Sequence, residues 1–327
     1  MIQSNNLVFI VSQPRSGSTL VQGILSNNDL VNTTSEPWLL LPFFNIFDES
    51  LIQARYNHFR CISGVRDYLN GPASEKLLLD SLRTFLLSLY SPLFTGSVRY
   101  VLDKTPRYYE ILPHIHKVFP EAKIILLKRH PLAVLKSVIQ SWSDGNSIES
   151  LHLYWRDILE APKLIQSYLE QFAGSDGLIK ELSYENFVQN PGEQTASLYD
   201  WLNLDFDPSV LNYSKNKKYR GNMGDPSANF SRKTPNVSGI DSWKDMLEDP
   251  YWGDFFKGYA YYLGDDFLKA FGGYSVENAC ETKIFQDFLS VAGEDSSQTQ
   301  QVAKIYKSLS WRVTKPLRWM ARLILRK

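Results

Sequence analysis

From Leu7 to Val11 the chain runs LVFIV with no polar interruption. An apolar run of that length without alternation predicts a strand covered on both faces, as in a parallel sheet with helices on either side. Similar short runs recur at Arg99-Tyr100-Val101-Leu102, at Lys123 to Leu127 and, more weakly, at Leu178 to Leu182, and Leu30 to Thr34 reads as a second strand. Helical periodicity lies between them. Ser74 to Tyr90 carries leucines at 77, 78, 82, 86 and 89, and Tyr109 to Val118 and Leu132 to Trp142 are shorter amphipathic stretches. Alternating strands and helices predict βαβ units and an α/β fold of three layers, a central parallel sheet flanked by helices.

The pattern then changes. Asp205 to Trp243 is dominated by Asn, Ser, Lys, Gly and Pro and reads as a long loop. Tyr251 to Leu268 is helical again, Gly272-Gly273 punctuates it, and a helix-like patch around Thr282 to Val291 precedes the polar linker GEDSSQTQQ. The expected organisation is one domain over residues 1–275, followed by a linker and a basic amphipathic tail over 276–327. In that tail Lys304, Lys307, Arg312, Lys315, Arg318, Arg322, Arg326 and Lys327 accompany Trp311, Trp319 and several aliphatic residues, with no acidic residue among them. Two readings stay open: a helix lying on an anionic membrane surface, or a terminal helix docked on the domain with its basic groups in water. Pro316 kinks either one.

Composition narrows the function classes. The 35 basic residues are balanced by 35 acidic ones, so nothing draws the chain generally toward nucleic acid and any anion affinity must be local. Two cysteines, Cys61 and Cys280, are too few for a disulfide scaffold or a cysteine-rich metal site, and a reducing cytoplasm fits them. The opening MIQSNNLVFIVSQP has no basic leader, and no apolar stretch approaches a membrane span. The expectation is a cytoplasmic protein, with the tail as its one route to a peripheral membrane contact.

The first anion site follows the first strand. LVFIVSQPRSGSTLVQGIL places the turn Gln13-Pro14-Arg15-Ser16-Gly17 ahead of a helical pattern that begins at Ser18-Thr19. N–H groups at a helix start have no intrahelical acceptor and carry the positive end of the dipole, so they attract an anion. Gly17 permits close approach of the backbone, Ser16, Ser18 and Thr19 supply hydroxyl donors, and the planar fork of Arg15 suits a phosphate or sulfate. A plain turn in which Ser18 caps the helix would not call for Arg15 and Gly17 together. A nucleoside triphosphatase would need a lysine before the hydroxyl residue, which Gly17-Ser18-Thr19 lacks. Pro14-Arg15-Ser16-Gly17-Ser18-Thr19 resembles the 5'-phosphosulfate loop of the sulfotransferase family.

The second anion site is KIILLKRHPLAVLKSVIQSW, where a strand ends at Lys128-Arg129 and Pro131 opens a helix. Its Arg129 with Ser137 eight positions on is similar to the family's 3'-phosphate motif. Two such sites at strand ends suit the edge where open α/β sheets collect ligands. A third likeness lies in LSYENFVQNPGEQTASLYDWLNLDFDP, by which Tyr184 would touch an adenine; capping of the core by that ring is the alternative. The resemblance covers roughly Leu7 to Leu268. It implies a P-loop-like three-layer sandwich and a co-substrate, 3'-phosphoadenosine 5'-phosphosulfate (PAPS), bound by Arg15, Ser16, Gly17, Ser18, Thr19, Arg129, Ser137 and Tyr184 and released as 3',5'-adenosine bisphosphate (PAP).

Sulfuryl transfer asks a protein to align donor and acceptor, to stabilise charge on the leaving oxygen and to remove a proton from the acceptor hydroxyl. Many family members carry Lys-Thr-His with the histidine as base; here Lys104-Thr105-Pro106 keeps the lysine and replaces the histidine. Lys104 is expected at the leaving oxygen, with a salt bridge to Asp103 as its alternative role. Carbohydrate and tyrosine sulfotransferases of this superfamily are similar in placing a glutamate base after the second strand, which here is Glu36, directly before Pro37 is expected to open a helix. Arg15, Glu36 and Lys104 are therefore the candidate catalytic residues, and His130 is the second candidate for the base. His114 and His116 face different sides of a helix, and no motif implies a metal. Lys233 and Lys244 are candidate phosphate partners in a loop from Gly221 to Lys244. By the same resemblance the acceptor is a hydroxyl compound, with a carbohydrate as the first expectation; aromatic residues of PWLLLPFFNIF and Trp142 are candidates to line its cleft, and the basic aromatic tail points to a lipid-linked acceptor made at a membrane, such as a glycolipid or surface polysaccharide. A kinase-like nucleotide enzyme and a non-catalytic nucleotide-binding module docked to membranes are the competing functions.

Overall fold

A computed structural model of the chain describes residues 1–44, 57–71, 73–142, 148–172, 177–212, 237 and 239–292. Five strands, β1 (Leu7–Ser12), β2 (Val31–Thr33), β3 (Tyr100–Lys104), β4 (Lys123–Lys128) and β5 (Ile179–Ser183), form one sheet in the order β2-β3-β1-β4-β5. Every pairing is parallel, with Ile10 beside both Lys104 and Ile125, and Lys128 beside Ser183. The carboxyl ends of the strands thus share one edge. The α/β sandwich expected from the apolar runs is the observed fold.

Helix α1 (Ser18–Ser26) joins β1 to β2, and α2 (Leu41–Phe44), α3 (His58–Leu69) and α4 (Glu75–Tyr90) lie between β2 and β3. Helix α5 (Leu112–Val118) precedes β4, α6 (Pro131–Ser141) and α7 (Ala161–Phe172) lead to β5, and α8 (Tyr184–Gln189), α9 (Pro191–Trp201), α10 (Gly253–Leu263) and α11 (Asp265–Gly272) follow. All six residues of β1 are buried because both faces are covered. Leu7, Phe9 and Val11 pack with Leu86, Tyr108, Ile115 and Phe119, whereas Val8 and Ile10 pack with Val21, Ile24, Leu198 and Tyr199. Successive strand residues point to opposite faces, so an unbroken apolar run is what a central strand requires.

Three local expectations change. The helix expected from Tyr251 to Leu268 is broken at Gly264, whose φ of 84° separates α10 from α11. Pro37 opens no helix; residues 34–40 are irregular and α2 starts at Leu41. A 3-10 turn, Pro106–Glu110, occupies the start of the stretch before α5. Past Gly273 the packed body continues, since Phe285 and Phe288 are buried with ring centroids each 5.2 Å from that of Phe255. The basic residues of the tail, and Lys233 with most of its loop, lie outside the described residues. Among the described residues no helix is long and apolar enough to cross a membrane.

Candidate active site

The loop between β1 and α1 has two residues in the left-handed region, Arg15 with φ 70° and Gly17 with φ 91°. Gly17, not Ser18, is the residue ahead of α1, and its carbonyl accepts from the N–H groups of Leu20 and Val21. The N–H groups of the first turn therefore stand free of intrahelical partners, as in any helix start. A Cβ at Gly17 would lie 2.4 Å from Cδ2 of Tyr184, the first residue of α8. Glycine is required twice over, by conformation and by the ring against it. Ser16 is wholly buried, and its Oγ has no hydrogen-bond partner among the described residues.

Arg129, just beyond β4, reaches the same loop. Its Nη1 donates to the carbonyl oxygen of Arg15 at 2.9 Å, and its Cζ lies 4.5 Å from the centre of the Tyr184 ring. Burial pulls the Arg129 pKa below its ordinary value, yet a guanidinium keeps its charge in a protein. Its Nε is buried without a partner among the described residues. Arg15 in turn extends to α6, where Nε donates to Ser137 Oγ at 3.2 Å and Nη2 to Ser141 Oγ at 3.0 Å. Arg15, Gly17, Arg129, Ser137 and Tyr184 are therefore gathered by mutual contacts at the carboxyl edge of the sheet. Ser141 was absent from the sequence reading; its signal is a spacing of four from Ser137, which puts both hydroxyls on one helix face.

Glu36 and Lys104 form an ion pair. Lys104 ends β3 with its side chain 2% exposed, and its Nζ lies 2.6 Å from Oε1 of Glu36, itself 13% exposed. The other carboxylate oxygen accepts from Trp38 Nε1 at 3.3 Å. The alternative of a Lys104–Asp103 salt bridge is not what forms, because neighbouring strand residues face opposite ways. Asp103 instead accepts from Tyr90 Oη at 2.6 Å, Thr105 Oγ1 at 2.8 Å and Tyr108 Oη at 3.0 Å. Burial, only partly offset by these donors, pushes the Asp103 carboxyl up to about 6. Tyr108 also accepts from the Leu40 N–H at 3.1 Å, tying the Glu36 segment to this network. An acidic residue inside an apolar strand was the signal that sequence reasoning passed over.

Arg107 adds a further cation. It grips the Asp157 carboxylate through Nε at 2.9 Å and Nη2 at 2.6 Å, and its Cζ lies 5.3 Å from the ring centres of both Trp38 and Trp142. Trp38 and Trp142 are half-buried beside the pair. Of the other aromatic residues of that segment expected to line an acceptor cleft, Phe44 belongs to the core instead.

His130 is a poor base. Its ring stacks on Trp243 with centroids 4.2 Å apart, and a Cβ on Gly272 would lie 2.6 Å from its Cδ2. Burial pushes its pKa down to about 4. Its backbone N–H donates to Glu185 Oε1 at 2.9 Å, which fixes the β4–α6 corner. Lys244 pairs with Asp241 at 3.0 Å. Among the described residues no group of three or more His, Cys, Asp and Glu side chains is placed to hold a metal ion.

A parallel sheet with a glycine-containing loop after its central strand, an arginine tying the neighbouring strand end to that loop and a lysine–carboxylate pair at the same edge define a P-loop-like α/β protein. Residues 7–208 match the model of the Sulfotransferase family, and the chain belongs to that family of transferases. Nodulation protein NoeE of Sinorhizobium fredii is 30% identical over 137 residues, which cover 42% of this chain and 32% of that protein. Protein-tyrosine sulfotransferase 1 of Danio rerio is 24% identical over 215 residues, 64% of this chain and 56% of that protein. The chain thus spans about a third of the first relative's length and just over half of the second's. The sulfotransferase domain from the Synechococcus PCC 7002 olefin synthase shares the fold, with a TM-score of 0.55 at 22% identity over 84% of this chain and 97% of that domain.

Proposed function

We propose that this protein moves a sulfuryl group from PAPS to a hydroxyl of an acceptor, with Glu36 as base and Lys104 stabilising the leaving oxygen. One observation carries the reading: the Glu36–Lys104 pair at 2.6 Å stands at the sheet edge that also gathers Arg15, Gly17, Arg129 and Ser137. The residues present fit such a donor. Ser16 Oγ and Arg129 Nε are buried polar atoms with unused donors among the described residues, and the first turn of α1 offers backbone N–H groups for an oxyanion.

PAPS supplies the sulfuryl group and departs as PAP. Ser16, Gly17, Ser18 and Thr19 would hold the 5'-phosphosulfate by N–H and hydroxyl donors, Arg129 and Ser137 the 3'-phosphate, and Tyr184 the adenine side. Arg15 stands between these groups, with its backbone in the loop and its guanidinium on α6. Glu36 takes the proton from the acceptor hydroxyl, whose oxygen then bonds to sulfur as the bond from sulfur to the phosphate oxygen breaks. Once protonated, Glu36 no longer holds Lys104 by charge. The freed ammonium then turns to the oxygen on which negative charge develops.

For the acceptor we favour a carbohydrate or lipid-linked saccharide, by likeness to sulfotransferases with a glutamate base, and a site of action at the cytoplasmic face of a membrane reached through the basic tail. Sedimentation with phosphatidylserine vesicles, comparing the full chain with one ending at Ala292, tests the tail. Calorimetry tests the donor: PAP should bind without magnesium, and binding of ATP with magnesium but not of PAP overturns the reading. Radiolabelled PAPS incubated with a cell extract and the protein should then label one class of product, whose identification names the acceptor.

A further inference from the structure

Glu36 is held at both oxygens, by Lys104 at 2.6 Å and by Trp38 Nε1 at 3.3 Å. Trp38 does this from a left-handed backbone, φ 52°, which a bulky residue keeps only where its surroundings impose it. The constraint is visible in Arg107, whose guanidinium carbon lies 5.3 Å from the Trp38 ring centre and the same distance from that of Trp142. Arg107 is itself fixed, with two nitrogens on the buried Asp157 carboxylate at 2.9 and 2.6 Å. Tyr109 Oη donates to the same carboxylate at 2.8 Å.

Asp157 also reaches the other half of the site. Its backbone carbonyl accepts from Nε2 of Gln13, in the anion loop, at 2.8 Å. It lies in a single π turn, Arg156–Glu160, a rare element that is frequent at functional sites. A continuous set of contacts thus runs from the anion loop through Asp157, Arg107 and Trp38 to Glu36.

We propose that Asp157, Arg107 and Trp38 are positioning residues that fix Glu36 relative to the anion loop, so that base and donor keep one alignment. The inference rests on the sulfuryl-transfer reading. None of the three needs to touch the reacting atoms; each acts on the next. An Arg–Asp pair serving stability alone would need neither an indole in a strained backbone nor a bond back to the loop. In-line transfer, by contrast, is sensitive to small displacements of the base, and a shift of about 1 Å costs roughly a hundredfold in rate.

The test uses the full chain and two conservative variants. Trp38→Phe keeps an aromatic ring beside Arg107 and deletes the N–H, and Arg107→Lys keeps the charge and deletes the two-nitrogen grip. Transfer of label from saturating radiolabelled PAPS to the acceptor in cell extract gives the rate, and calorimetry gives the Kd of PAP. The expected result is a rate lowered roughly 10- to 100-fold in both variants, with the Kd of PAP changed less than about twofold. A wild-type rate in Trp38→Phe overturns the relay, and so does a loss of PAP affinity that parallels the loss of rate, which would mark a role in shaping the loop. A wild-type protein that binds no PAP and labels nothing overturns the underlying reading first, and the relay falls with it.

Discussion

Arg129 Nη1 donates to the carbonyl oxygen of Arg15 at 2.9 Å, so the residue just beyond β4 also holds the loop that follows β1. The two anion anchors are therefore mechanically linked, but asymmetrically. On the proposed reading Arg129→Ala removes a phosphate ligand and the support of the loop together, whereas Arg15→Ala keeps the backbone carbonyl that Arg129 grips. A charge-assisted hydrogen bond contributes about 1.5–3 kcal/mol, so Arg129→Ala should weaken PAP binding at least roughly 10- to 100-fold. Arg15→Ala should weaken it less. Calorimetric titration of both variants decides, and equal losses would contradict the asymmetry.

What the sequence revealed and what it hid divide along physical lines. The strands and the anion loop were legible because their signals are local: an apolar run with no alternation, and Arg-Ser-Gly-Ser-Thr at a strand-to-helix turn. Glu36 and Lys104 were found through family likeness, but their contact joins residues 68 positions apart and appears only in the fold. The same distance problem hid the Arg107–Asp157 grip, 50 positions apart, and Ser141 on Arg15. The alternative role of Lys104, a pair with Asp103, fails for a different reason. An acidic residue beside a lysine invites pairing, yet on a strand the two side chains leave by opposite faces. At Pro37 the error was one of punctuation: proline permits a helix start, but no periodic pattern begins until Leu41.

Gly17→Ala should damage the loop in two separable ways. The residue sits at φ 91°, and an added Cβ would meet the Tyr184 ring at 2.4 Å. Backbone strain of this kind costs on the order of 1–3 kcal/mol, and the collision adds to it. The expected outcome is a lower melting temperature together with loss of PAP binding. Adding Tyr184→Ala should recover the part of the stability due to collision but not the part due to φ. Full recovery would show that the backbone conformation is not what requires glycine.

Asp103 makes stability depend on pH in an unusual direction. Its carboxyl is raised from 3.8 to about 6 in the folded protein, chiefly by burial, so the folded state holds a proton that the unfolded chain releases. The contribution is fully present below pH 4 and is lost as pH rises through 6. A shift of about two units corresponds to about 3 kcal/mol. Asp103→Asn cannot ionise, so wild type should lose on the order of 3 kcal/mol relative to this variant between pH 4 and pH 7. Denaturant titrations at both pH values measure it; parallel pH profiles for the two proteins would place the carboxyl at an ordinary value.

Glu36→Gln is the sharpest probe of the chemistry, because the amide keeps the shape and can still accept from Trp38 but cannot take up a proton. A positioned base contributes roughly 10²- to 10⁴-fold, and the transfer rate at saturating PAPS should fall by that order with PAP affinity retained. On the proposed reading Lys104→Met removes the cation that stabilises the leaving oxygen and leaves Glu36 beside an apolar chain; a loss of roughly 10²- to 10³-fold is expected. The two residues act as one unit at 2.6 Å, so the double variant should be little worse than the poorer single one. Losses that multiply would mean independent roles, and a wild-type rate for Glu36→Gln would remove Glu36 from the mechanism. The rates themselves come from initial-velocity measurements with labelled PAPS, and retained PAP binding shows that the variants still fold.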